Sequence, residues 1–272
     1  MSLAASPAPA FTLYDYVLSG NCYKIRLATA LLGVPYDSIA VDFYPGFEHR
    51  SEAMLALNPA GTLPVMKTAD GVVLTETNAM LVWLGLNHDP GGRWYPAADP
   101  VRGPRLVEAM SFGAGLTGSV GLARLHAMLD WPVDGAAARR AGKRDLRQLE
   151  LRLTAMQIDG EDWLAGGTAP SMADLACFPY VALSPDAGWT TTATRRSVRG
   201  CIGCGACRGL SPCRASTTCT NCARAQASGG VPRRGRARFL SADGRRTAPW
   251  WCGAGRRGSR SRNRWTSPGA VR

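Results

Sequence analysis

The chain has 272 residues, of which 46% are hydrophobic and 19% charged, and its formal net charge is +12. This length allows one large or two ordinary domains, and the lack of any run of about 18 apolar residues argues against a membrane-spanning helix. The charge is divided unevenly, because residues 1–188 carry −5 whereas residues 189–272 carry +17, with 18 Arg, no Lys and one acidic residue.

The N-terminal residues predict a βαβ unit. Residues 1–10 lack the basic region and apolar core of a secretory signal, and we interpret them as a flexible N-terminus. Residues 11–17 alternate apolar and polar side chains, which predicts a first strand. After the turn-forming residues 18–21, apolar side chains at helical spacing predict a helix over residues 22–32. A second strand is predicted over residues 36–41.

The next segment contains a proline that limits the possible structures. A short helix is predicted over residues 49–57, and Asn58-Pro59 ends it. Proline cannot donate a ladder hydrogen bond, so Pro64 is expected at the start of a strand over residues 65–67. An X-Pro bond at this place can be cis, and we expect it to expose the backbone of Leu63 to a ligand.

A hairpin and a helix complete the first domain. Asp70-Gly71 lies between two apolar runs, which is typical of a hairpin turn, and the following strand is predicted over residues 72–74. With a helix over residues 76–87, the predicted order is βαβαββα. Glu76 and Thr77 place a carboxylate and a hydroxyl at the N-terminus of that helix, where unpaired N–H groups lie. We therefore expect a pocket in which backbone, hydroxyl and carboxylate groups converge.

The following segment is predicted to be helical. A proline- and glycine-rich linker is expected over residues 89–100. Beyond it, apolar side chains predict one long helix over residues 106–125, which several glycines weaken, and an amphipathic helix over residues 146–156. A Ser-x-x-Asp capping box at Ser171 predicts a further helix. Residues 101–188 are thus expected to form a second, all-helical domain.

The predicted order, with Leu-Pro before the third strand, resembles the thioredoxin-like N-terminal domain of the glutathione transferases. The resemblance covers residues 11–188. It implies a glutathione-binding domain over residues 11–88, an all-helical domain over residues 101–188 and a homodimer. The residues that carry it are Ser19-Gly20-Asn21-Cys22-Tyr23-Lys24, Asn58-Pro59 followed by Gly61, Leu63-Pro64, and Glu76-Thr77.

The resemblance implies a role for each candidate site residue. Ser19 corresponds to the residue that donates a hydrogen bond to the sulfur of glutathione and so lowers the thiol pKa. Leu63 corresponds to the residue whose backbone holds the cysteinyl part, with Pro64 as the cis-proline. Glu76 and Thr77 correspond to the acid and hydroxyl pair that binds the γ-glutamyl end. Serine is usual at the second position, and Thr77 keeps its hydroxyl.

The implied activity is conjugation of glutathione, as co-substrate, to a hydrophobic electrophile, without a metal. Cys22 is the alternative nucleophile, because a low-pKa cysteine at a helix start can form a mixed disulfide with glutathione, as in a glutathione-dependent reductase or isomerase. A noncatalytic interaction protein on the same scaffold is a third hypothesis. Two unpaired cysteines, Cys22 and Cys177, and no export signal fit a reducing cytoplasm, and we expect no membrane partner.

Residues 189–272 require a separate interpretation. Their cysteine spacing suggests a metal site, but the ferredoxin motif is broken, and the Arg-rich composition would also suit nucleic-acid binding. We favour a tail translated out of frame from about residue 188, because its composition is what a GC-rich gene gives out of frame. The tail is then expected to be disordered, without metal or nucleic acid, and the helical domain to be truncated. The cysteines are Cys201, Cys204, Cys207, Cys213, Cys219 and Cys222.

Overall fold

A computed structural model describes residues 8–189 and confirms the predicted βαβαββα order of the first part. A thioredoxin-like α/β part comes first, and an all-helical part follows it. The elements are β1 (Phe11–Asp15), α1 (Gly20–Leu32), β2 (Asp37–Ala40), α2 (Glu52–Leu57), β3 (Val65–Thr68), β4 (Val73–Leu74), α3 (Thr77–His88), α4 (Arg102–Gly115), α5 (Val120–Leu129), α6 (Gly135–Ile158) and α7 (Met172–Ala182).

The four strands form one mixed sheet in the order β2-β1-β3-β4. β1 is parallel to β2 and antiparallel to β3, and β3 is antiparallel to β4. Leu13 and Met66 are partners in register, are fully buried and belong to the main core with α1 and α3. Val65, one residue away, packs instead with Met54 of α2. The alternation of side chains along each strand therefore places α1 and α3 on one face and α2 on the other.

The predicted helix over residues 49–57 is shorter in the structure. A single 3-10 turn, Glu48–Arg50, precedes α2, and Ser51 between them has an extended backbone with ψ of 156°. The Ser51 hydroxyl accepts a hydrogen bond from the N–H of Met54 at 3.3 Å. Serine favours this capping position over a helix interior, which explains why the helix begins only after it.

The long helix predicted over residues 106–125 is wrong, because α4 and α5 are separated by a 3-10 turn, Leu116–Gly118. Glycines at both ends of this turn lower the cost of leaving the helix. The Tyr180 hydroxyl of α7 donates a hydrogen bond to the Thr117 hydroxyl at 3.1 Å, which holds the break in place. Local composition and a contact from a distant helix together determine the interruption.

The other helical predictions are confirmed. Leu146, Leu149 and Leu153 are buried along one face of α6. Ser171 and Asp174 form the predicted capping box at the start of α7, with the Asp174 carboxylate accepting from the Ser171 N–H at 2.9 Å. The Asp174 carboxylate also accepts from the N–H of Leu164 at 3.0 Å. The buried carboxylate therefore joins α7 to the segment that precedes it.

Within residues 8–189, one helical stretch, Arg102–Leu129, is long and apolar enough to cross a membrane by length and composition alone. Half of its most apolar window is buried inside the fold, and the core helix of a soluble protein passes the same test. The sequence prediction had found no such stretch.

The two ends of the chain lie mostly outside the described residues. The predicted flexible N-terminus overlaps the description only at residues 8–10, and residues 190–272, with the clustered cysteines, fall outside it. Trp189, which the tail prediction includes, packs against α6: a Cβ added at Gly142 would lie 2.5 Å from its ring.

Candidate active site

The strand register brings the three predicted site segments to one edge of the sheet. β1 ends at Asp15, and Tyr14 pairs with Val65, the first residue of β3. β4 ends at Leu74, which pairs with Met66. The segments that leave β1, enter β3 and leave β4 therefore meet at the same place. We call segments 16–19, 61–64 and 75–77 the site edge.

Ser19 lies at the site edge as the N-cap of α1. Its backbone is extended, with φ −73° and ψ 125°, and its Oγ accepts a hydrogen bond from the N–H of Cys22 at 3.2 Å. The Ser19 N–H donates to the carbonyl of Tyr16 at 2.9 Å. Ser19 is half-buried, and its O–H lies within hydrogen-bonding range of the Cys22 sulfur. A hydroxyl rotates about its C–O bond, so the same O–H can donate instead to an anionic ligand at the positive end of the helix dipole.

Leu63 and Pro64 form the second segment, and the peptide bond between them is cis. Pro64 is buried and directly precedes β3, as the sequence predicted. Among the described residues, the backbone N–H and C=O of Leu63 have no hydrogen-bond partner, although the side chain packs with Val65 and Met54. The unpaired backbone groups can bind an extended ligand in the manner of an added strand.

Glu76 and Thr77 form the third segment at the start of α3. Glu76 is exposed and is the N-cap residue, but its carboxylate makes no capping hydrogen bond. Thr77 is 8% exposed. The first intrahelical hydrogen bond joins the Met80 N–H to the Glu76 carbonyl at 3.1 Å, so the N–H groups of the first turn remain available. The segment offers a negative side chain for a cation beside backbone donors for an anion.

Cys22, the alternative nucleophile, does not lie at the surface of the site edge. Its side chain is 0% exposed, and its sulfur accepts a hydrogen bond from the Tyr16 N–H at 3.4 Å. Burial, with a smaller effect of the nearby Asp15 carboxylate, raises the pKa of Cys22 to about 12. The alternative requires a low thiol pKa at the helix start, whereas desolvation in this structure raises the thiol pKa and so disfavours the thiolate.

An aromatic cluster that the sequence analysis missed connects the α/β part to the helical part. Phe43, in the loop after β2, stacks on His49 at 4.2 Å and on Trp131 at 5.2 Å between ring centroids. Because β2 is parallel to β1, this loop leaves the sheet beside the site edge. The concentration of aromatic residues over positions 43–49 was a usable signal. The full cluster is Tyr16, Phe43, Tyr44, Phe47, His49 and Trp131.

The sequence analysis also missed two buried cations. Lys24 of α1 is fully buried, donates to the Gly113 carbonyl at 3.2 Å and lies 4.7 Å from the centre of the Tyr180 ring. Burial lowers the pKa of Lys24 to about 8. Arg124 of α5 is 3% exposed and donates to the carbonyl of Leu18, the residue before Ser19. No sequence signal distinguished this arginine from the other basic residues of the helical part.

Residues 8–189 contain no group of three or more His, Cys, Asp or Glu side chains placed to hold a metal ion. The arrangement instead offers a hydroxyl donor, two helix N-termini, unpaired backbone groups and a carboxylate along a single edge. These groups suit an extended, zwitterionic ligand.

Comparisons with known proteins show the family to which the chain belongs. Residues 18–86 match the family described as the N-terminal domain of glutathione S-transferase. The chain is 31% identical to a maleylacetoacetate isomerase of Rhizobium meliloti over 173 residues, which cover 62% of this chain and 79% of the relative. It is 40% identical to the maleylacetoacetate isomerase of Pseudomonas aeruginosa over 73 residues, 26% of this chain and only 34% of that relative.

Solved structures extend the likeness across both parts of the fold. A glutathione S-transferase from Xanthobacter autotrophicus superposes with a TM-score of 0.60 and 27% identity, over 71% of this chain and 91% of that one. A glutathione transferase homologue from Lodderomyces elongisporus, solved with two glutathione molecules per subunit, gives a TM-score of 0.64 over 74% and 97% of the two chains. At 20% identity the latter shows a shared fold alone.

Proposed function

We propose that this chain, which belongs to the glutathione S-transferase family, binds glutathione at the site edge and uses Ser19 to activate its thiol for attack on an electrophile. Family membership supports a glutathione-dependent enzyme, and the residue roles and the reaction are the proposal. The observation that carries it is the convergence on one edge of the Ser19 hydroxyl, unpaired backbone groups at Leu63 and the N-terminus of α3.

Each part of glutathione has a complementary group at the site edge. The γ-glutamyl ammonium suits the exposed Glu76 carboxylate, and the carboxylate beside it suits the N–H groups at the start of α3, next to Thr77. The cysteinyl amide suits the backbone N–H and C=O of Leu63, with Pro64 fixing the entry to β3. In this pose the thiol extends toward Ser19.

Ser19 favours the charged form of the thiol. Its O–H donates to the sulfur, and the N-terminus of α1 adds a positive potential, so both effects lower the thiol pKa and raise the thiolate fraction at neutral pH. In conjugation, the thiolate electron pair forms a C–S bond with the electrophile, and the leaving group departs with its own pair. The aromatic cluster supplies an apolar surface beside the site edge for a hydrophobic electrophile.

Glutathione-dependent isomerisation is the second candidate. The observation that favours it is the match to the Rhizobium meliloti maleylacetoacetate isomerase, which extends over 79% of that relative. The same thiolate serves both reactions, but an isomerase returns glutathione unchanged whereas a transferase consumes it. Loss of free thiol during turnover therefore separates the two, and the burial of Cys22 disfavours a version that uses this cysteine as nucleophile.

The oligomeric state and the cellular location are further parts of the proposal. We infer a homodimer from it, and we infer a reducing cytoplasm from Cys22 and Cys177, which are free thiols buried in the core. Sedimentation of the full chain tests the first inference, and localisation of a tagged chain tests the second.

Two serine caps of matching geometry allow a direct test of Ser19. The hydroxyls of Ser19 and Ser51 each accept the N–H of the residue three positions later, at 3.2 and 3.3 Å. Each change to alanine is expected to cost about 1 kcal/mol of stability. Only Ser19→Ala is expected to lower kcat/KM with glutathione, by about 100- to 1000-fold.

Three results would contradict the proposal. Equal activity in Ser19→Ala and Ser51→Ala would remove Ser19 from the reaction. Loss of activity in Cys22→Ala alone would favour the reductase or isomerase that uses Cys22. A folded chain that binds no glutathione would favour a noncatalytic interaction protein.

A further inference from the structure

Two arginines hold consecutive carbonyl groups of the loop before Ser19. Arg26 of α1 pairs with the Asp15 carboxylate and donates to the carbonyl of Val17 at 3.1 Å. Arg124 of α5 donates from Nη1 to the carbonyl of the next residue, Leu18. The loop is thus held from within the α/β part and, independently, from the helical part.

The two arginines differ in their surroundings. The Arg26 side chain is 25% exposed, whereas that of Arg124 is only 4% exposed. The Nε of Arg124 donates to the Asp186 carboxylate at 2.7 Å, and its Nη2 is buried without a hydrogen-bond partner within residues 8–189. A buried guanidinium with an unsatisfied N–H group is destabilising relative to an apolar side chain of similar size. Fold stability alone does not explain an arginine at this position.

The charge of Arg124 lies between the two parts of the fold. Burial raises the pKa of Tyr16, in the loop after β1, and of Tyr180, in α7, and the nearby positive charge of Arg124 partly offsets both rises. The Tyr180 ring packs against Gly20, since a Cβ added there would lie 2.7 Å from the ring. Tyr16 therefore comes shortly before Ser19 in the chain, and Tyr180 packs against Gly20, the residue directly after Ser19.

We propose that Arg124 is a positioning residue for Ser19, which ties the carbonyl of Leu18 to the helical part and fixes where the Ser19 hydroxyl meets the sulfur of glutathione. Asp186 orients the guanidinium for this contact. The inference rests on the proposed function, because it assigns to Arg124 a role in the reaction that Ser19 supports. It also predicts that the packing of α5 sets the geometry of an N-terminal glutathione site.

The test uses the full chain and two variants. Arg124→Lys keeps the charge but cannot donate to Leu18 and Asp186 in the same forked geometry. The double variant Arg124→Met with Asp186→Leu removes both charges, and such apolar replacements of buried ion pairs are often well tolerated. Arg152→Gln is the control, because Arg152 forms an ion pair with Glu108 that is exposed and joins two helices of the helical part.

The expected result is a change in the reaction with little change in glutathione binding. Both Arg124 variants should lower kcat by about 10- to 100-fold, keep the glutathione dissociation constant within about twofold, and shift the ultraviolet thiolate titration of bound glutathione to higher pH. Amide hydrogen exchange at Cys22, whose N–H donates to Ser19, should be faster in both variants. Arg152→Gln should change none of these quantities.

Distinct outcomes overturn the inference and the proposed function. Suppose that a folded Arg124 variant exchanges the Cys22 amide hydrogen as slowly as the wild type and leaves the thiolate titration unchanged. This result would show that Arg124 does not position Ser19. A wild-type chain that binds no glutathione would remove the proposed function. In that case faster exchange at Cys22 in both variants would still support the anchoring of the loop, and unchanged exchange would overturn it.

Discussion

The site edge differs from the junction where α1 and its preceding loop contact the helical part. At the site edge, within residues 8–189, the Leu63 backbone and the Glu76 carboxylate have no hydrogen-bond partner. At the junction, Lys24 and Arg124 are 0% and 3% exposed and are held by backbone carbonyls. We therefore propose that the unpaired polar groups mark the ligand site, whereas the buried charges contribute to the contact between the two parts.

The largest expected effect concerns the helical part that supports the junction. Asp174→Ala removes a carboxylate that accepts from the N–H groups of Ser171 and Leu164, both buried, and we expect a loss of about 3–5 kcal/mol in the free energy of unfolding. Asp134→Ala, at the exposed N-cap of α6, should cost about 1 kcal/mol. Denaturant unfolding measures both. Equal losses would contradict the claim that a buried carboxylate stabilises the fold more than an exposed one.

The second prediction sharpens the comparison through pH. Burial lowers the pKa of Lys24 from 10.5 to about 8, so between these values the unfolded chain binds the additional proton. The stability contributed by Lys24 must therefore rise with pH across this window. The side chains that face Lys24, Tyr180 and Cys177, stay neutral there because burial raises the pKa of each to about 12.

The measurement is the difference in unfolding free energy between the wild type and Lys24→Met as a function of pH. Below pH 8 the wild type should be at its least stable relative to Lys24→Met. Its unfolding free energy should then rise, relative to that of the variant, by up to about 3 kcal/mol by pH 10.5. Titration of other groups is common to both chains and cancels. A difference that is flat with pH would mean that Lys24 is not held as a buried cation.

The third prediction compares two glycines of α4. A Cβ at Gly113 would lie 2.8 Å from the backbone oxygen of Ala176 in α7, whereas nothing lies within 4 Å of one at Gly115. Gly113→Ala should therefore cost about 1–3 kcal/mol and disturb the carbonyl that binds Lys24. Gly115→Ala should stabilise by up to about 1 kcal/mol, since its backbone is already helical. Thermal unfolding distinguishes them, and equal shifts would contradict the close α4–α7 packing.

The smallest effect is expected at Cys22. Because its thiol is buried and its pKa is raised to about 12, Cys22→Ala should change kcat/KM per folded molecule by less than about threefold. Thiol labelling should be slow at both Cys22 and Cys177 until the chain unfolds. Rapid labelling of Cys22 in the folded chain would place it among the reactive groups of the site edge.

The strand and motif patterns predicted the order of the α/β elements and a pocket at Leu63-Pro64 and Glu76-Thr77, because each is local in sequence, whereas the family resemblance added Ser19. Alternation and turn residues define the strands, and the motifs lie directly at strand or helix ends. The roles of these residues stay predictions. The cysteine-rich tail was predicted separately and lies outside residues 8–189.

The features that the sequence did not predict depend on contacts between distant segments. The break at Leu116–Gly118 is held by Tyr180, more than 60 positions later. Arg124 reaches Leu18 across 106 positions, and Trp131 stacks on Phe43 from the α5–α6 connection. Periodicity assigned Cys22 to a helix start but could not show that packing buries it completely.

Calorimetric titration of glutathione into the purified full chain tests the central claim most directly. We predict binding with a dissociation constant of about 0.1–1 mM, weakened about tenfold or more in Glu76→Gln. Glu108→Gln, on an exposed carboxylate of α4, is the matched control and should bind as the wild type does. A folded chain that binds no glutathione, or a Glu76→Gln variant that binds like the wild type, would contradict the assignment of the site edge.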